Sequence, residues 1–353
     1  MILEDVLIVD PIDGQYVGTI EYDDVIRIIR RSDTVSPNEE DILFPAFVDP
    51  HIHGIKGIDT MYASEQEFLE FKEYEALEGV WYFLPTTVTS PLERLAQVRL
   101  PDQMKDHKLH VEGPFISEKR KGAHNGRFVT APSERLFDYT DPNRIGLITM
   151  APEWEGFEEF ADTCSKKGIK VSIGHSDATF EQARWAYRKG YMRLTHFPNA
   201  MSPLHHRAMG LVGAGLYFDF TLELICDGLH VAPEFVELIY RVKGADRIIL
   251  MTDSISATGL SDGKYLLGDL DVTVKDGTAT LSDGTIAGSL LTFSQALRNF
   301  QRFTRCSLIE LAKVSSYNAC LDLGIMGGRI FEGYPAKFVL LDKNLGLKKT
   351  IGF

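Results

Sequence analysis

The stretch Phe44–Thr60, "FPAFVDPHIHGIKGIDT", begins as an apolar run and ends with two histidines one residue apart, followed by glycines and an aspartate. In a β-strand, residues i and i+2 point to the same face. The imidazoles of His51 and His53 therefore project together at the point where the chain leaves the core. Imidazole nitrogens are common metal ligands. The stretch predicts a buried strand whose carboxyl end carries a metal site.

The composition is ordinary for a globular protein. Of 353 residues, 44% are hydrophobic and 25% are charged. No apolar run approaches the roughly 20 residues that span a bilayer, and "MILEDVLIVD" lacks the basic segment of a signal peptide, so we expect a cytoplasmic protein without a membrane partner. The four cysteines form no CxxC pair and indicate reduced thiols. A net charge of -13 argues against a nucleic-acid partner, because phosphate backbones require basic surface.

Short apolar segments that end in polar or glycine-rich residues recur along the chain. There are eight, at 44–53, 81–89, 109–117, 145–153, 170–177, 192–199, 218–230 and 247–254. Amphipathic stretches that predict helices lie at 65–78, 156–167, 179–189 and 233–242, and Ser64/Glu67 and Ser307/Glu310 have the spacing of capping boxes. Strand-like runs with interleaved helices predict a (β/α)8 barrel of the TIM type.

Both ends of the chain have β character. Residues 1–42 alternate in "VLIVD", "YVGTIEY" and "VIRIIR", and residues 328–353 contain "GRIFEGYPAKFVLLD". We expect these two segments to form one small β-sandwich domain beside a catalytic barrel at 43–327. Within the barrel segment, alternation around the turn Lys275-Asp276-Gly277 predicts a β-hairpin insertion near 264–286.

The polar residues at the ends of these segments have the chemistry of a metal site. Imidazole nitrogen and carboxylate oxygen suit Zn²⁺ or Fe²⁺, and barrels of this type carry their chemistry at the carboxyl ends of the strands. A single histidine in such a position is commonly a hydrogen-bonded loop residue, but a set at one end of a barrel favours a metal. The set is His51, His53, Glu112, His175, His196 and Asp253.

Seven segments together resemble a known family. They are "FVDPHIHG", "HVEGPFISEKRKGAHN", "GHSDATFEQA", "THFPNAMSPLHHRAMGLVGAG", "CDGLHV", "MTDSISATG" and "DGTIAGSLLT". They are similar to the N-acetylglucosamine-6-phosphate deacetylases of the amidohydrolase superfamily. The resemblance implies a metal-dependent hydrolase, usually a homodimer, that converts N-acetyl-D-glucosamine 6-phosphate to D-glucosamine 6-phosphate and acetate. Such enzymes serve amino-sugar catabolism or cell-wall recycling.

The resemblance also implies roles for the metal-site residues. Glu112, His175 and His196 match the family's core ligands for one divalent ion per subunit, while His51 and His53 match ligands for a second ion that only some members hold. Many relatives in the superfamily bridge two ions with a modified lysine at the end of the fourth strand. Here that segment reads "ITMAPE", so Glu112 is the available bridge. Asp253 matches the general base.

Substrate contacts are implied in the same way. His124 in "GAHN" matches a histidine that contacts the substrate. The contacts to phosphate and sugar map to the backbone of Asn199 and Ala200, to Arg207, and to His230. In relatives the arginine and the last histidine come from the neighbouring subunit, which predicts an active site shared across a homodimer.

Two other functions fit part of the pattern. A cyclic amide hydrolase such as a dihydroorotase or hydantoinase uses the same barrel, but the missing fourth-strand lysine and the "NAMSPLHHR" segment weigh against it. A catalytically silent sugar-phosphate binding protein could also keep the fold. Asp253 weighs against that alternative, because a protein that only binds has no need of a general base.

Overall fold

The stretch 44–60 begins with two consecutive buried strands. In the computed structural model, which describes residues 1–32 and 41–353, these strands are Ile42–Pro45 and Phe47–Ile52, and every residue in them is buried. A strand buried on both faces is typical of a parallel sheet covered by helices. The predicted buried strand is confirmed, and it ends one residue before His53.

The described residues contain nineteen strands and ten α-helices. The strands are β1 (Ile2–Asp10), β2 (Gly14–Tyr22), β3 (Ile26–Arg31), β4 (Ile42–Pro45), β5 (Phe47–Ile52), β6 (Gly54–Ile55), β7 (Ile58–Asp59), β8 (Val80–Pro85), β9 (Leu109–Glu112), β10 (Ile145–Met150), β11 (Lys170–Ile173), β12 (Arg193–Leu194), β13 (Thr221–Ile225), β14 (Ile248–Met251), β15 (Gly263–Leu267), β16 (Leu270–Lys275), β17 (Thr278–Thr280), β18 (Phe338–Leu341) and β19 (Leu347–Ile351). The α-helices are α1 (Glu65–Leu77), α2 (Leu92–Leu95), α3 (Leu136–Tyr139), α4 (Phe157–Lys166), α5 (Phe180–Arg188), α6 (Gly210–Tyr217), α7 (Pro233–Lys243), α8 (Phe293–Thr304), α9 (Leu308–Ala312) and α10 (Asn318–Leu323).

A curled parallel sheet forms the centre of the molecule. Six strands pair in the order β14-β13-β12-β11-β10-β9, and β5 pairs in parallel with β8. Thr86 forms a parallel bridge with His110, which joins β8 to β9. At the other end of the order, the Asp253 amide donates a hydrogen bond to the His51 carbonyl at 2.9 Å. Seven of these eight strands fall within the predicted segments and β8 begins one residue before its segment, and the curled sheet is consistent with a TIM-like barrel.

Helices between these strands agree with the amphipathic stretches. α1, α4, α5 and α7 occupy the four predicted ranges to within one residue at each end. The predicted capping boxes begin α1 and α9, where Ser64 and Ser307 accept from the backbone amides three residues later. A third box, formed by Thr179 and Gln182, begins α5 and was not predicted. Each cap satisfies amides that the first helical turn leaves without a partner.

The two ends of the chain contribute to one sheet. Its order is β19-β18-β4-β1-β2-β3, so strands from both termini lie side by side and meet at β4. Arg329 donates to both carboxylate oxygens of the buried Asp10, which links the two segments again. Part of the predicted amino-terminal segment, residues 33–40, lies outside the described residues.

The insertion after β14 has three strands, one more than the predicted hairpin. β15, β16 and β17 form a three-stranded antiparallel sheet. The turn at Lys275-Asp276-Gly277 joins β16 to β17, and Asp276 and Gly277 have φ values of 51° and 76°. Positive φ at two successive residues is what a tight hairpin turn of this kind requires. The turn between β16 and β17 was predicted correctly. The additional turn at Gly268, which joins β15 to β16, was not predicted.

The four cysteines are free and buried, as their spacing predicted. Within residues 1–32 and 41–353, no helix combines the length and apolar character that a bilayer crossing requires.

Candidate metal centre

The polar residues singled out in the sequence lie at one edge of the central sheet. His51 is the last but one residue of strand β5, and Glu112 is the last residue of β9. The others lie one or two residues beyond the ends of their strands. Parallel strands end at the same edge of a sheet, so these residues meet there. They are His53 after β5, His175 after β11, His196 after β12 and Asp253 after β14.

Three of these residues have left-handed backbone conformations. The φ values are 45° at His175, 31° at His196 and 54° at Asp253. Such conformations are uncommon for residues with a β-carbon and cost about 1–3 kcal/mol each. All three occur where a strand ends and the chain turns away. Strain of this kind concentrates at functional sites, where surrounding contacts keep side chains in a required direction.

Glu112 lies at the centre of the cluster. Its Oε1 atom is 3.2 Å from Nε2 of His175 and 3.0 Å from Nε2 of His196. Its Oε2 atom is 3.2 Å from Nε2 of His53 and 3.5 Å from Nε2 of His51. Each carboxylate oxygen thus faces one pair of the predicted ligand histidines. Two groups with metal-ligand geometry share Glu112, which is buried together with all four histidines.

The hydrogen bonds at the far side of two imidazoles fix their tautomers. Nδ1 of His53 lies 3.1 Å from the Thr86 carbonyl, and Nδ1 of His175 lies 2.8 Å from the Arg120 carbonyl. A carbonyl only accepts, so each Nδ1 carries a proton. In the neutral imidazole, Nε2 then presents a lone pair to a Glu112 oxygen, which also only accepts. Lone pairs directed at each other need a proton or a cation between them, and a divalent metal ion fits this donor set.

Asp253 belongs to the same cluster. Its Oδ1 atom lies 3.3 Å from Nε2 of His51 and 3.2 Å from Nε2 of His53. Burial opposes the carboxylate charge, but the adjacent histidines outweigh burial and lower the pKa of Asp253 below its usual range. Asp253 is therefore ionised at neutral pH and can accept a proton.

His124 is oriented as a hydrogen-bond donor. The Thr89 amide donates to Nδ1 of His124 at 3.0 Å, so the proton of the neutral ring is on Nε2. That Nε2 atom lies 3.3 Å from Oε2 of Glu112. Burial, together with the nearby His175, lowers the pKa of His124 to about 4. The ring is therefore neutral at pH 7. It can donate a hydrogen bond from Nε2, but it carries no second proton that it could release as a general acid.

A cavity of about 410 Å³ opens above the cluster. His124, Asn199, Ala200 and His230 line it together with Asp253. This volume is in the range of small-molecule sites. The structure therefore brings most of the predicted substrate contacts to the same cavity as the predicted metal ligands. His230 lines the cavity of its own chain, whereas the resemblance placed it in the neighbouring subunit.

Three of the predicted phosphate and sugar contacts differ in what they offer to a site built by one chain. The Asn199 amide donates to the His196 carbonyl at 2.8 Å, so this donor is already used within the chain. The Ala200 amide has no acceptor among the described residues, and Ala200 has a φ of 51°. Arg207 is exposed, lies 2.8 Å from Nε2 of His206 through Nη1, and is not among the residues that line the cavity. Within one chain, Arg207 does not reach the site.

Sequence reasoning missed the residues behind the histidines. Glu223 of β13 lies 3.6 Å from Nδ1 of His51 through Oε2, and Arg193 of β12 donates from Nε to Glu223 Oε1 at 2.7 Å. A glutamate inside the apolar run "TLELI" was the available signal. Charged residues are rarely fully buried unless they are paired, so this position called for a partner.

The chain is similar to known proteins along nearly its whole length. A model described as the amidohydrolase family matches residues 42–352. The chain is 40% identical over 323 residues to an N-acetylglucosamine-6-phosphate deacetylase of Lysinibacillus sphaericus, which covers 88% of this chain and 84% of the relative.

Solved structures agree with this similarity. The N-acetylglucosamine-6-phosphate deacetylase of Thermotoga maritima has 47% identity and a TM-score of 0.93, covering 99% of this chain and 98% of the other. A variant of the Mycobacterium smegmatis deacetylase, solved in complex with N-acetyl-D-glucosamine-6-phosphate, has 26% identity and a TM-score of 0.90, covering 99% and 97%. The chain belongs to the amidohydrolase family, and within it to the N-acetylglucosamine-6-phosphate deacetylases.

Proposed function

We propose that this chain hydrolyses the acetamide of N-acetyl-D-glucosamine 6-phosphate, giving D-glucosamine 6-phosphate and acetate. The observation that carries the proposal is the position of Asp253. Its carboxylate adjoins both His51 and His53 and also lines the cavity above Glu112. A proton acceptor therefore lies beside the predicted metal ligands, where an amide substrate can reach it.

The residues that would hold one divalent ion are Glu112, His175 and His196. His51 and His53 would hold a second ion and share Glu112 with the first. When bound, such an ion polarises a carbonyl and lowers the pKa of a water ligand towards roughly 7. Zn²⁺ and Fe²⁺ both suit these ligands.

Asp253 moves the proton in the proposed reaction. A water oxygen forms a bond to the acetyl carbonyl carbon, and Asp253 accepts the proton that this water releases. The bond between that carbon and the sugar nitrogen then breaks. Asp253 returns the proton to the nitrogen, because an amide nitrogen leaves only when it is protonated. The products are acetate and the free amine.

His124 and His230 position the substrate from two sides of the cavity. Nε2–H of His124, which lies 3.3 Å from Oε2 of Glu112 in this structure, would donate to the sugar or to the acetyl oxygen of a bound substrate. His230 is held by Asp227, whose Oδ2 atom lies 2.7 Å from Nδ1 of the ring. Nδ1–H therefore points to the carboxylate, which leaves Nε2 of His230 for the substrate.

Phosphate recognition in this proposal uses a neighbouring subunit. The chain has a net charge of -13, so specificity for an anion must come from short-range donors. The Ala200 amide can supply one. Arg207 is exposed on a loop and does not line the cavity of its own chain, which suits a residue that completes the site of a partner in a homodimer.

The same proposal covers the architecture and the location. We infer a closed (β/α)8 barrel at 43–327, with a small β-sandwich domain built from 1–42 and 328–353, and β4 at this boundary pairs with the strands of the terminal segments. The hydrogen bond from the Asp253 amide to the His51 carbonyl supports closure of the barrel. The pairing of β18 with β4 supports a terminal domain that both ends of the chain share. A sugar phosphate is an intracellular metabolite, so the proposed location is the cytoplasm.

Acetate release tests the function. The purified protein, loaded with Zn²⁺ or Fe²⁺, should release acetate from N-acetylglucosamine 6-phosphate. N-acetylgalactosamine 6-phosphate, unphosphorylated N-acetylglucosamine and dihydroorotate serve as comparison substrates. Turnover of dihydroorotate alone would favour the cyclic amide hydrolase. Binding of the sugar phosphate without acetate release would favour a silent binding protein.

A further inference from the structure

Glu223 is a buried carboxylate that the proposed reaction does not use. It lies in the middle of β13 and has no solvent exposure. Its Oε1 atom accepts a hydrogen bond from Nε of Arg193 at 2.7 Å. Arg193 is only 3% exposed and also pairs with Asp322, so the charge of Glu223 is balanced inside the sheet.

The other carboxylate oxygen contacts both metal-ligand groups. Oε2 of Glu223 accepts from the backbone amide of His196 at 3.3 Å. The same atom lies 3.6 Å from Nδ1 of His51. His196 belongs to the group with His175, and His51 belongs to the group with His53. One oxygen atom therefore adjoins a member of each group.

Nδ1 of His51 faces the carboxylate of Glu223, unlike the Nδ1 atoms of His53 and His175. His53 and His175 direct Nδ1 to backbone carbonyls, which are part of the main chain. Nδ1 of His51, like Nδ1 of His196, is buried and has no hydrogen-bond partner among the described residues. The Glu223 carboxylate is the charged group beside this atom and can stabilise a proton on it.

We infer that Glu223 is a positioning residue of the metal centre. Its carboxylate keeps the proton of His51 on Nδ1, so that the Nε2 lone pair faces Glu112, and it anchors the His196 backbone where that chain segment is strained. Arg193 holds the carboxylate in place through its hydrogen bond to Oε1. This inference rests on the proposed metal-dependent function and adds a determinant of metal affinity that lies outside both ligand groups.

Zinc affinity of the metal-free protein tests this role. Three variants are compared: Glu223→Gln, the pair Glu223→Leu with Arg193→Met, and Asp322→Asn. The paired variant leaves no buried charge alone, which protects folding. Zn²⁺ dissociation constants are measured by competition with a chromophoric chelator. Carboxylates that orient metal-ligating histidines typically contribute 10- to 100-fold in affinity, so the paired variant should bind at least one Zn²⁺ equivalent 10- to 100-fold more weakly.

The other variants separate positioning from stability. Glu223→Gln keeps an oxygen acceptor without the charge and should fall between the paired variant and the unaltered protein. Asp322→Asn disturbs Arg193 but leaves the carboxylate at His51, so its zinc affinity should stay within about threefold of the unaltered protein. Melting of the metal-free forms, followed by circular dichroism, reports any purely structural effect.

The outcomes are distinct. Unchanged zinc affinity in the folded Glu223 variants would overturn the role of Glu223 and leave the proposed function intact. An equal loss in Asp322→Asn would also overturn it, because stability of the ion pair would then be the cause. If the paired variant does not fold, Glu223→Gln alone decides by the same criterion. A wild-type chain that binds no Zn²⁺ or Fe²⁺ would overturn the proposed function itself.

Discussion

Nε2 of His53 lies 3.2 Å from Oδ1 of Asp253. The Nδ1 atom of His53 faces the Thr86 carbonyl, so the neutral ring presents a lone pair to a carboxylate that can only accept. This contact is favourable with a cation between the two groups or with a proton on the ring. The contact also places the proposed base, Asp253, beside the proposed ligands. Because Asp253 is not one of those ligands, a substitution of Asp253 alone tests proton transfer while the ligands stay unchanged.

Asp253→Asn is expected to abolish turnover while the protein keeps its metal. Asparagine has the same shape but cannot accept the proton from water. General acid and base catalysis contributes roughly 100- to 10,000-fold, and one residue in both roles should lie at the upper end. We expect kcat to fall by about 10,000-fold in an acetate-release assay. Metal analysis should show unaltered content, since Glu112, His175 and His196 are unchanged.

A surface residue provides the matched control. Asp219 pairs with Arg247 and its side chain is 54% exposed. Asp219→Asn makes the same chemical change away from the site and should leave kcat unaltered. An Asp253→Asn enzyme with near wild-type kcat would contradict the assignment of Asp253 as the base.

The two predicted groups of metal ligands should differ in how strongly metal content and activity depend on them. His175→Ala and His196→Ala each remove a ligand from the group that includes Glu112 Oε1, so we expect loss of most bound metal together with activity. His51→Ala should have a milder effect if one ion suffices. Elemental analysis of protein purified without added metal measures the content. If His51→Ala removed all metal while His175→Ala retained it, the ranking of the two groups would be wrong.

Much of the fold was predictable because its signals are local. Each strand of the central sheet coincides to within one residue with part of an apolar segment that ends in polar residues, and the caps at Ser64 and Ser307 depend on residues three positions apart. Sequence spacing cannot give contacts between strands. Glu223 and Arg193 are 30 positions apart, and only the pairing of β12 with β13 brings them together.

The candidate site, like the fold, was only partly predictable from the sequence. The strand-end position of Glu112 followed from the pattern, and the structure places its two oxygens against four histidines. The roles of these residues stay predictions until they are tested. The use of the Asn199 amide by the His196 carbonyl was not foreseeable, because a turn after a strand has no sequence period.

Glu75→Gln is expected to stabilise the protein more as the pH rises. Glu75 is 2% exposed on α1, and its Oε2 atom has no hydrogen-bond partner within the described residues. Burial, followed by the negative charges of Asp49 and Glu78, raises the pKa of Glu75 well above its usual range. The folded state thus binds a proton that the unfolded chain releases above its ordinary pKa of about 4.3. Stability therefore falls as pH rises through this window.

The Glu75→Gln variant lacks this titration. We expect its Tm to exceed that of the unaltered protein by roughly 1–4 °C at pH 8, and the difference to shrink towards pH 4. Melting curves at pH 4.5, 6 and 8 measure the trend. Glu73, which is exposed on the same helix, gives the control Glu73→Gln, whose Tm difference should not depend on pH in this way. A pH-independent difference for Glu75→Gln would contradict the role of burial.

Arg207→Ala should weaken activity on the phosphorylated sugar selectively. A guanidinium can form paired hydrogen bonds to phosphate, and a charge-assisted bond contributes about 1.5–3 kcal/mol. We expect kcat/KM for N-acetylglucosamine 6-phosphate to fall by roughly 10- to 100-fold. The unphosphorylated sugar should be a poor substrate for both proteins, with nearly equal values. An equal loss on both sugars would mean that Arg207 has a structural role.

Mixed dimers test whether Arg207 acts in a neighbouring subunit. In a dimer of one Arg207→Ala chain and one Asp253→Asn chain, a site shared across the interface combines residues of both. The site with an intact Asp253 then receives Arg207 from the other chain, so one of its two sites is complete. Activity should return towards half that of the unaltered dimer. Verified mixed dimers without such rescue would show that each chain builds its own phosphate site, because both sites would then retain a defect.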